Sequence, residues 1–236
     1  MAVSAPVPKI NVYIDGFNLY RGCLRGSRYR WLDLEAMCRQ LFPSRSINRI
    51  RYFTAHIKGD PGASSRQDVY LRALSSLPKV HIHDDGIFAT HTVIRPVSDQ
   101  PHAGMQAVIE WLSGYDWRPL NRPAAGHHLR ASVVDKKEKR SDVNLAAYLM
   151  LDAFQKDMDG AFVVSGDSDL VTPIRLVNTH AVRVGVVNPT SNRTSWDLLK
   201  AASSYSVLSS SILAASQLPD PVAVTPTEAV RKPQAW

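Results

Sequence analysis

At 236 residues the chain suffices for one α/β domain with long loops or two small domains, and 44% apolar residues supply a sizeable core. No apolar run approaches the ~18 residues of a membrane-spanning helix, and Met1 to Pro8 lacks the basic cluster and apolar stretch of a secretory leader, so neither membrane insertion nor export is expected. The net charge of +7 (pI ≈ 9.5) suits a polyanionic partner, and two cysteines, Cys23 and Cys38, are too few for a disulfide framework or a thiolate zinc site and suit a reducing cytoplasm, as packed thiols.

The first predicted element is a buried strand from Lys9 to Ile14, stopped by Asp15-Gly16. Residues Leu34 to Phe42 have helical spacing, with Leu34, Met37, Cys38 and Leu41 on one face. A strand follows over Asn48–Ala55, a helix over Ser64–Leu77, and a strand over Val80–Phe88 that ends near Gly86. The stretch from His91 to Gly126 is rich in Pro, Gly, Trp and His and reads as an irregular insertion or lid. Leu129 to Asp135 reads as a short strand leading into a basic loop. Ser141 is placed to cap a helix bearing Leu145, Ala146, Leu149, Ala153 and Phe154. Ala161–Val164 is a second buried strand. Asp167 to Asp169 opens a helix reaching about Asn178, in which Pro173 is tolerated only near the first turn. Val182–Val187 is a third strand, Ser195–Ala202 a helix, and Tyr205–Leu208 a last strand. The Pro/Ala/Thr/Val-rich segment 219–236 and residues 1–8 are expected to be disordered and flexible. Strands alternating with helices imply an α/β fold with a mainly parallel sheet covered on both faces.

Short acidic segments punctuate these junctions. Asp15 follows the first strand directly, with Asn18 one helical turn later; the bland reading is a turn and a cap. Asp142 sits at a helix N-terminus, where an acid is also stabilised by the helix dipole. Ser165-Gly166-Asp167-Ser168-Asp169 is the strongest signal, because two acids and two hydroxyls crowd one strand-to-helix turn. At the carboxyl edge of an α/β sheet, where ligands bind, clustered carboxylates call for a hard cation such as Mg²⁺. Asp152 lies ten residues beyond Asp142, ~15 Å along the same helix, so it cannot share that ion and is expected at the surface or at a partner contact.

Basic residues flank these segments. They are Arg21, Arg25, Arg28 and Arg30 on one side and Lys136, Lys137, Lys139 and Arg140 on another. A basic rim around an acidic centre suits a polyanion held by its phosphates; the competing reading is solvated surface. A Walker loop, a Gly-x-Gly-x-x-Gly fingerprint, Cys-x-x-Cys and Gly-x-Ser-x-Gly are all absent. The pairs His127-His128 and His81/His83 read as surface or packing residues rather than zinc ligands.

At these residues the sequence resembles a known family. "VYIDGFNLY", "KKEKRSDVNLAAYLMLDAF", "GAFVVSGDSDLVTPIRLV" and "VGVVNPTS" are similar, in order, to the motifs of the NYN domain, the LabA-like branch of the PIN-like nuclease superfamily. The similarity runs from about residue 9 to about 218. It implies a Rossmann-like three-layer α/β/α sandwich, a Mg²⁺ or Mn²⁺ site and ribonuclease activity. The family's acidic site falls on Asp15, Asp142, Asp167 and Asp169, and its accessory polar position on Asn18. Tyr148 stands where many members of the wider family carry a further acid.

The resulting expectation is a metal-dependent phosphodiesterase, an endoribonuclease in particular. Asp15, Asp142, Asp167 and Asp169 hold the ion or ions, with Asn18, Ser165 and Ser168 behind them. Arg21, Lys137, Lys139, Arg140 and Arg193 hold the nucleic acid by its phosphates. Two alternatives use the same cleft: a non-catalytic module that binds RNA or a protein, and a small-molecule phosphohydrolase.

Overall fold

The computed structural model describes residues 7–96, 130–180, 182–190 and 195–236, with backbone alone for 88–96 and 130–139. Its centre is a parallel sheet of six strands: β1 (Lys9–Asp15), β2 (Ser46–Ala55), β3 (Val80–Pro96), β5 (Gly160–Val164), β6 (Arg183–Asn188) and β7 (Ser204–Val207). Their order is β3-β2-β1-β5-β6-β7, with every adjacent pair parallel. The order reverses between β1 and β5. In such sheets the crevice outside the carboxyl ends of the two strands at the reversal is the ligand site.

The central strands β1, β2, β5 and β6 are largely buried because both faces of the sheet are covered there. Along β1, Ile10, Val12 and Ile14 point to one apolar layer with α2 (Leu34–Leu41) and α3 (Pro61–Ser75). Tyr13 points to the other, with α4 (Ser141–Phe154) and α5 (Val171–Asn178). The helix predicted from Ser64 starts at Pro61 instead. Asp60 caps it by accepting from Ala63 N at 2.9 Å, and proline is accommodated at a first helical position, where its missing N–H is not needed. The helix α6 (Trp196–Ala201) is capped by Ser195, and α7 (Ser210–Ala215) by Ser209. No helix among the described residues is long and apolar enough to cross a membrane. Cys38 is fully buried and Cys23 half-buried; burial alone pushes the Cys23 thiol up to about 12, as expected of packed thiols.

Three boundary readings change. Ser141 does not cap α4 but is its first residue. The cap position belongs to Arg140, whose φ of 83° lies in the left-handed region that few side chains adopt. The basic run before it is not a loop but strand β4 (Arg130–Lys139), which stays extended until Arg140 breaks it. Of the proposed insertion 91–126, His91 to Pro96 continue β3, and 97–126 lie outside the described residues. The chain forms two compact units, Met1–Phe88 with Glu138–Trp236, and Ala89–Lys137.

The segment 219–236, expected to be disordered, is structured. Val222–Thr225 (β8) and Glu228–Val230 (β9) form an antiparallel hairpin. Val222 and Val230 are buried in the first apolar layer, and the Trp236 ring lies 6.1 Å from Trp31 and 5.6 Å from Tyr70. Arg72 pairs with Glu228, tying the hairpin to α3. Composition reads the average of such a segment. Here two buried valines and the half-buried Trp236 outweigh that average, because each fully buried large apolar side chain contributes ~1.5–3 kcal/mol. Residues 1–6 lie outside the described residues.

Candidate active site at the sheet edge

Asp15 ends β1 and is 4% exposed. Its Oδ1 accepts from Phe17 N at 3.1 Å and Asn18 N at 2.9 Å, capping α1 (Gly16–Leu19). Its Oδ2 accepts from Ser165 Oγ at 3.0 Å. A Cβ at position 16 would stand 2.6 Å from the Tyr52 ring and 2.8 Å from Phe53 O, so glycine lets the chain pass this close to β2 after Asp15.

Ser165, wholly buried at the end of β5, links the two strands at the reversal. Its hydroxyl donates to Asp15 and accepts from Asp167 N at 3.1 Å. Asn18 Oδ1 accepts from Gly166 N at 3.0 Å. A Cβ at Gly166 would meet Asn188 Oδ1 at 2.8 Å, so the loop passes close over the end of β6. Asp167 Oδ1 accepts from Asp169 N at 3.0 Å and caps a 3₁₀ turn (Ser168–Leu170) that leads into α5. The helix expected from Asp167 thus begins as a 3₁₀ turn and becomes α-helical at Val171, with Pro173 in its first turn. Ser168 and Asp169 are exposed.

Asp142, half-buried in the first turn of α4, faces the same loop. Burial, and after it the negative charges of Asp167 and Asp169, hold its carboxyl above the ordinary value. Asp142, Asp167 and Asp169 are therefore within electrostatic reach of one another, and Ser165 joins Asp15 to Asp167. No group of three or more His, Cys, Asp or Glu side chains among the described residues stands close enough to enclose a metal ion. The donor chemistry nevertheless suits a hard divalent cation, since it is carboxylate oxygen without sulfur or imidazole and carries a mutual repulsion that a cation would relieve.

Sequence reasoning passed over two neighbours. Asp85, in β3 opposite Ala55 at the carboxyl end of β2, accepts with both oxygens from Asn144 Nδ2 at 2.9 Å, two residues from Asp142. Its signal is Asp85-Gly86 after an alternating strand, the same dipeptide as Asp15-Gly16. Asn188 ends β6 fully buried, donates to Tyr205 OH at 2.7 Å and accepts from Thr190 N at 3.0 Å.

Of the phosphate-binding candidates, Arg21 is exposed, with its guanidinium 4.1 Å from the Phe17 ring centroid, and Arg140 is exposed at the start of α4. The side chains of Lys137 and Lys139, and all of Arg193, lie outside the described residues.

Asp152 is neither at the surface nor at a partner contact; it is fully buried under the sheet. Arg51 grips it with Nε to Oδ2 and Nη2 to Oδ1, both at 2.8 Å; Tyr13 OH donates at 2.7 Å and Asn11 Nδ2 at 3.3 Å. Arg49 stands 3.7 Å away. Burial would raise this carboxyl, but the Arg51 and Tyr13 hydrogen bonds outweigh it and hold it below the ordinary value. Tyr148, in place of the further acid, completes the cluster: the Arg51 guanidinium lies 4.4 Å from its ring centroid. His83 stacks on Phe53 at 4.7 Å, a packing role as expected.

Comparison with known proteins bears on the family and the fold. A model of the NYN domain matches residues 9–209. The chain is 31% identical over 256 aligned residues, covering 97% of it and 75% of the relative, to a Pseudomonas putida (strain DSM 28022 / S16) protein named 6-hydroxy-3-succinoylpyridine 3-monooxygenase HspA. A crystal structure of a protein of unknown function from Vibrio parahaemolyticus RIMD 2210633 shares the fold, with a TM-score of 0.52 at 17% identity, over 92% of this chain and 99% of that one.

Proposed function

The chain belongs to the NYN domain family, and from that premise we propose that it is a metal-dependent phosphodiesterase whose substrate is RNA. The observation that carries this reading is the gathering of carboxylates at the strand reversal, where the Ser165 hydroxyl joins Asp15 to residue 167 and Asp142 faces the same loop. Asp15, Asp142, Asp167 and Asp169 would hold Mg²⁺ or Mn²⁺, which when bound supplies charge stabilisation and an acidified water. The chain's own groups prepare that edge. The N–H groups of Phe17 and Asn18 and the Ser165 hydroxyl fix the Asp15 carboxylate, and the Asp167–Asp169 turn fixes the outer pair.

Arg21, Lys137, Lys139, Arg140 and Arg193 would hold the strand through its phosphates. Replacing Lys137, Lys139 and Arg140 together with Ala should weaken RNA binding and flatten the slope of log affinity against log salt by roughly 2, at ~0.7 for each single-strand phosphate no longer neutralised. An unchanged slope assigns that run to solvated surface. The reading itself is tested by cleavage of RNA by purified protein with Mg²⁺, Mn²⁺ or a chelator.

A second reading rests on the 31% identity to a named monooxygenase over nearly the whole chain. There the substrate would be a hydroxypyridine acid, with one atom of O₂ entering the ring and the other leaving as water at the expense of a two-electron donor. Oxygen uptake with 6-hydroxy-3-succinoylpyridine and NADH or NADPH, in protein that leaves RNA intact, favours this reading over the first.

A further inference from the structure

A cleft of about 140 Å³ opens beside the acidic edge, with Gly16 and Phe17 in its wall one and two residues beyond Asp15. Its other walls come from the opposite side of the sheet to Asp152: Tyr52 at the end of β2, Tyr70 on α3, and Trp236 after the β8–β9 hairpin. Two of the rings hold each other in place. Tyr70 OH donates to Leu32 O at 2.8 Å, and Trp236 meets Tyr70 edge-on at 65°. The volume is close to the ~150 Å³ of a cavity known to take up benzene, the size of one ring.

An aromatic wall alone would admit any small apolar group. Arg30 and Arg66 also line the cleft, both half-buried. Arg30 Nε donates to Ser27 O at 3.0 Å, and its guanidinium lies 6.0 Å from the Trp236 ring centroid. Among the described residues neither arginine pairs with a carboxylate. The guanidinium is the side chain best shaped to grip a carboxylate or phosphate, by two parallel hydrogen bonds.

We infer that this cleft binds one flat aromatic ring carrying an anionic group, with the ring on the Phe17, Tyr52, Tyr70 and Trp236 side chains and the anion on Arg30 and Arg66. The inference is independent of the reaction at the acidic edge. Two sources share this chemistry: a free aromatic acid, and a base with its phosphate from a nucleic acid.

Calorimetric titration of the full chain without metal tests it. The probes are pyridine-3-carboxylate for the free acid and UMP and AMP for the nucleotide, with cyclohexanecarboxylate and pyridine-3-carboxamide as controls for flatness and charge. At least one flat anion should bind saturably at one per chain, and both controls at least tenfold more weakly. The tighter of the two probe types names the source. Arg66→Ala should weaken binding about tenfold or more. It removes no hydrogen bond or ion pair described for the fold, so the fold should stand, as far-UV circular dichroism would check. Trp236→Ala should weaken binding similarly. The inference is overturned if neither flat anion binds, if Arg30→Ala and Arg66→Ala both bind as wild type, or if Asp167→Asn abolishes binding while both arginine variants retain it.

Discussion

Asp152→Ala should lower stability by about 3–5 kcal/mol, the cost of breaking a buried ion pair from one side, since it leaves the Arg51 guanidinium, 8% exposed, without its counterion under the sheet. Tyr13 OH and Asn11 Nδ2 lose an acceptor in the same step. Urea unfolding would measure it, and a loss under about 1 kcal/mol, the level of an exposed pair, would contradict the burial. The double variant Arg51→Met/Asp152→Leu removes both charges together and should recover most of the loss, because apolar replacement of a whole buried pair is commonly neutral or stabilising. The acid limb follows from linkage. The Asp152 pKa is depressed in the folded state, so its contribution is fully present above the unfolded value of ~3.9 and is lost as pH falls through the folded value. His83, lowered first by burial and then by Arg51, acts with the same sign: acidification below its unfolded value of ~6.5 begins to cost stability. Asp152→Asn should therefore flatten the fall in stability below about pH 4.

The central strands β1, β5 and β6 were legible because a parallel sheet covered on both faces writes them as short apolar runs. The acidic edge was legible because Asp15-Gly16 and Ser165-Gly166-Asp167 end two of those runs, and the reversal between β1 and β5 brings the two ends together. The position of Asp152 had its own signal that went unused. Leu145, Leu149 and Asp152 recur at i, i+4 and i+7, so the acid shares the buried stripe of α4, and Arg49 and Arg51 alternate along one face of β2 to meet it. What the sequence could not give was side-chain direction. Spacing puts four carboxylates on one edge, but Asp15 turns its oxygens to the N–H groups of its own helix and to Ser165, and no three acids among the described residues close into a cage. The Trp236 packing was equally hidden, because it depends on where a hairpin places one ring ~200 residues from its partner Trp31.

Asp167→Asn should abolish Mg²⁺- or Mn²⁺-dependent RNA cleavage while leaving the fold intact. The substitution keeps the acceptor that Asp167 Oδ1 offers to Asp169 N, and with it the 3₁₀ turn that starts α5; the Ser165 hydroxyl still meets the backbone N–H of residue 167. Only the charge goes. A group that holds a hard cation directly should cost more than the roughly 10–100-fold that follows removal of an outer partner of a metal site. Without metal, the variant should be as stable as wild type or slightly more so, because Asp142 then faces one neighbouring negative charge fewer. With metal, wild type should gain stability as any ligand bound only to the native state confers it, by about 2.7 kcal/mol at a hundredfold excess over Kd, and the variant should lose most of that gain. Thermal melting and a cleavage assay, each with and without metal, separate the outcomes. A variant that cuts as wild type does removes Asp167 from the ligand set. Metal stabilisation of wild type without cleavage of any RNA would keep the cation and discard the nuclease, and with it shift the weight to chemistry on a small molecule.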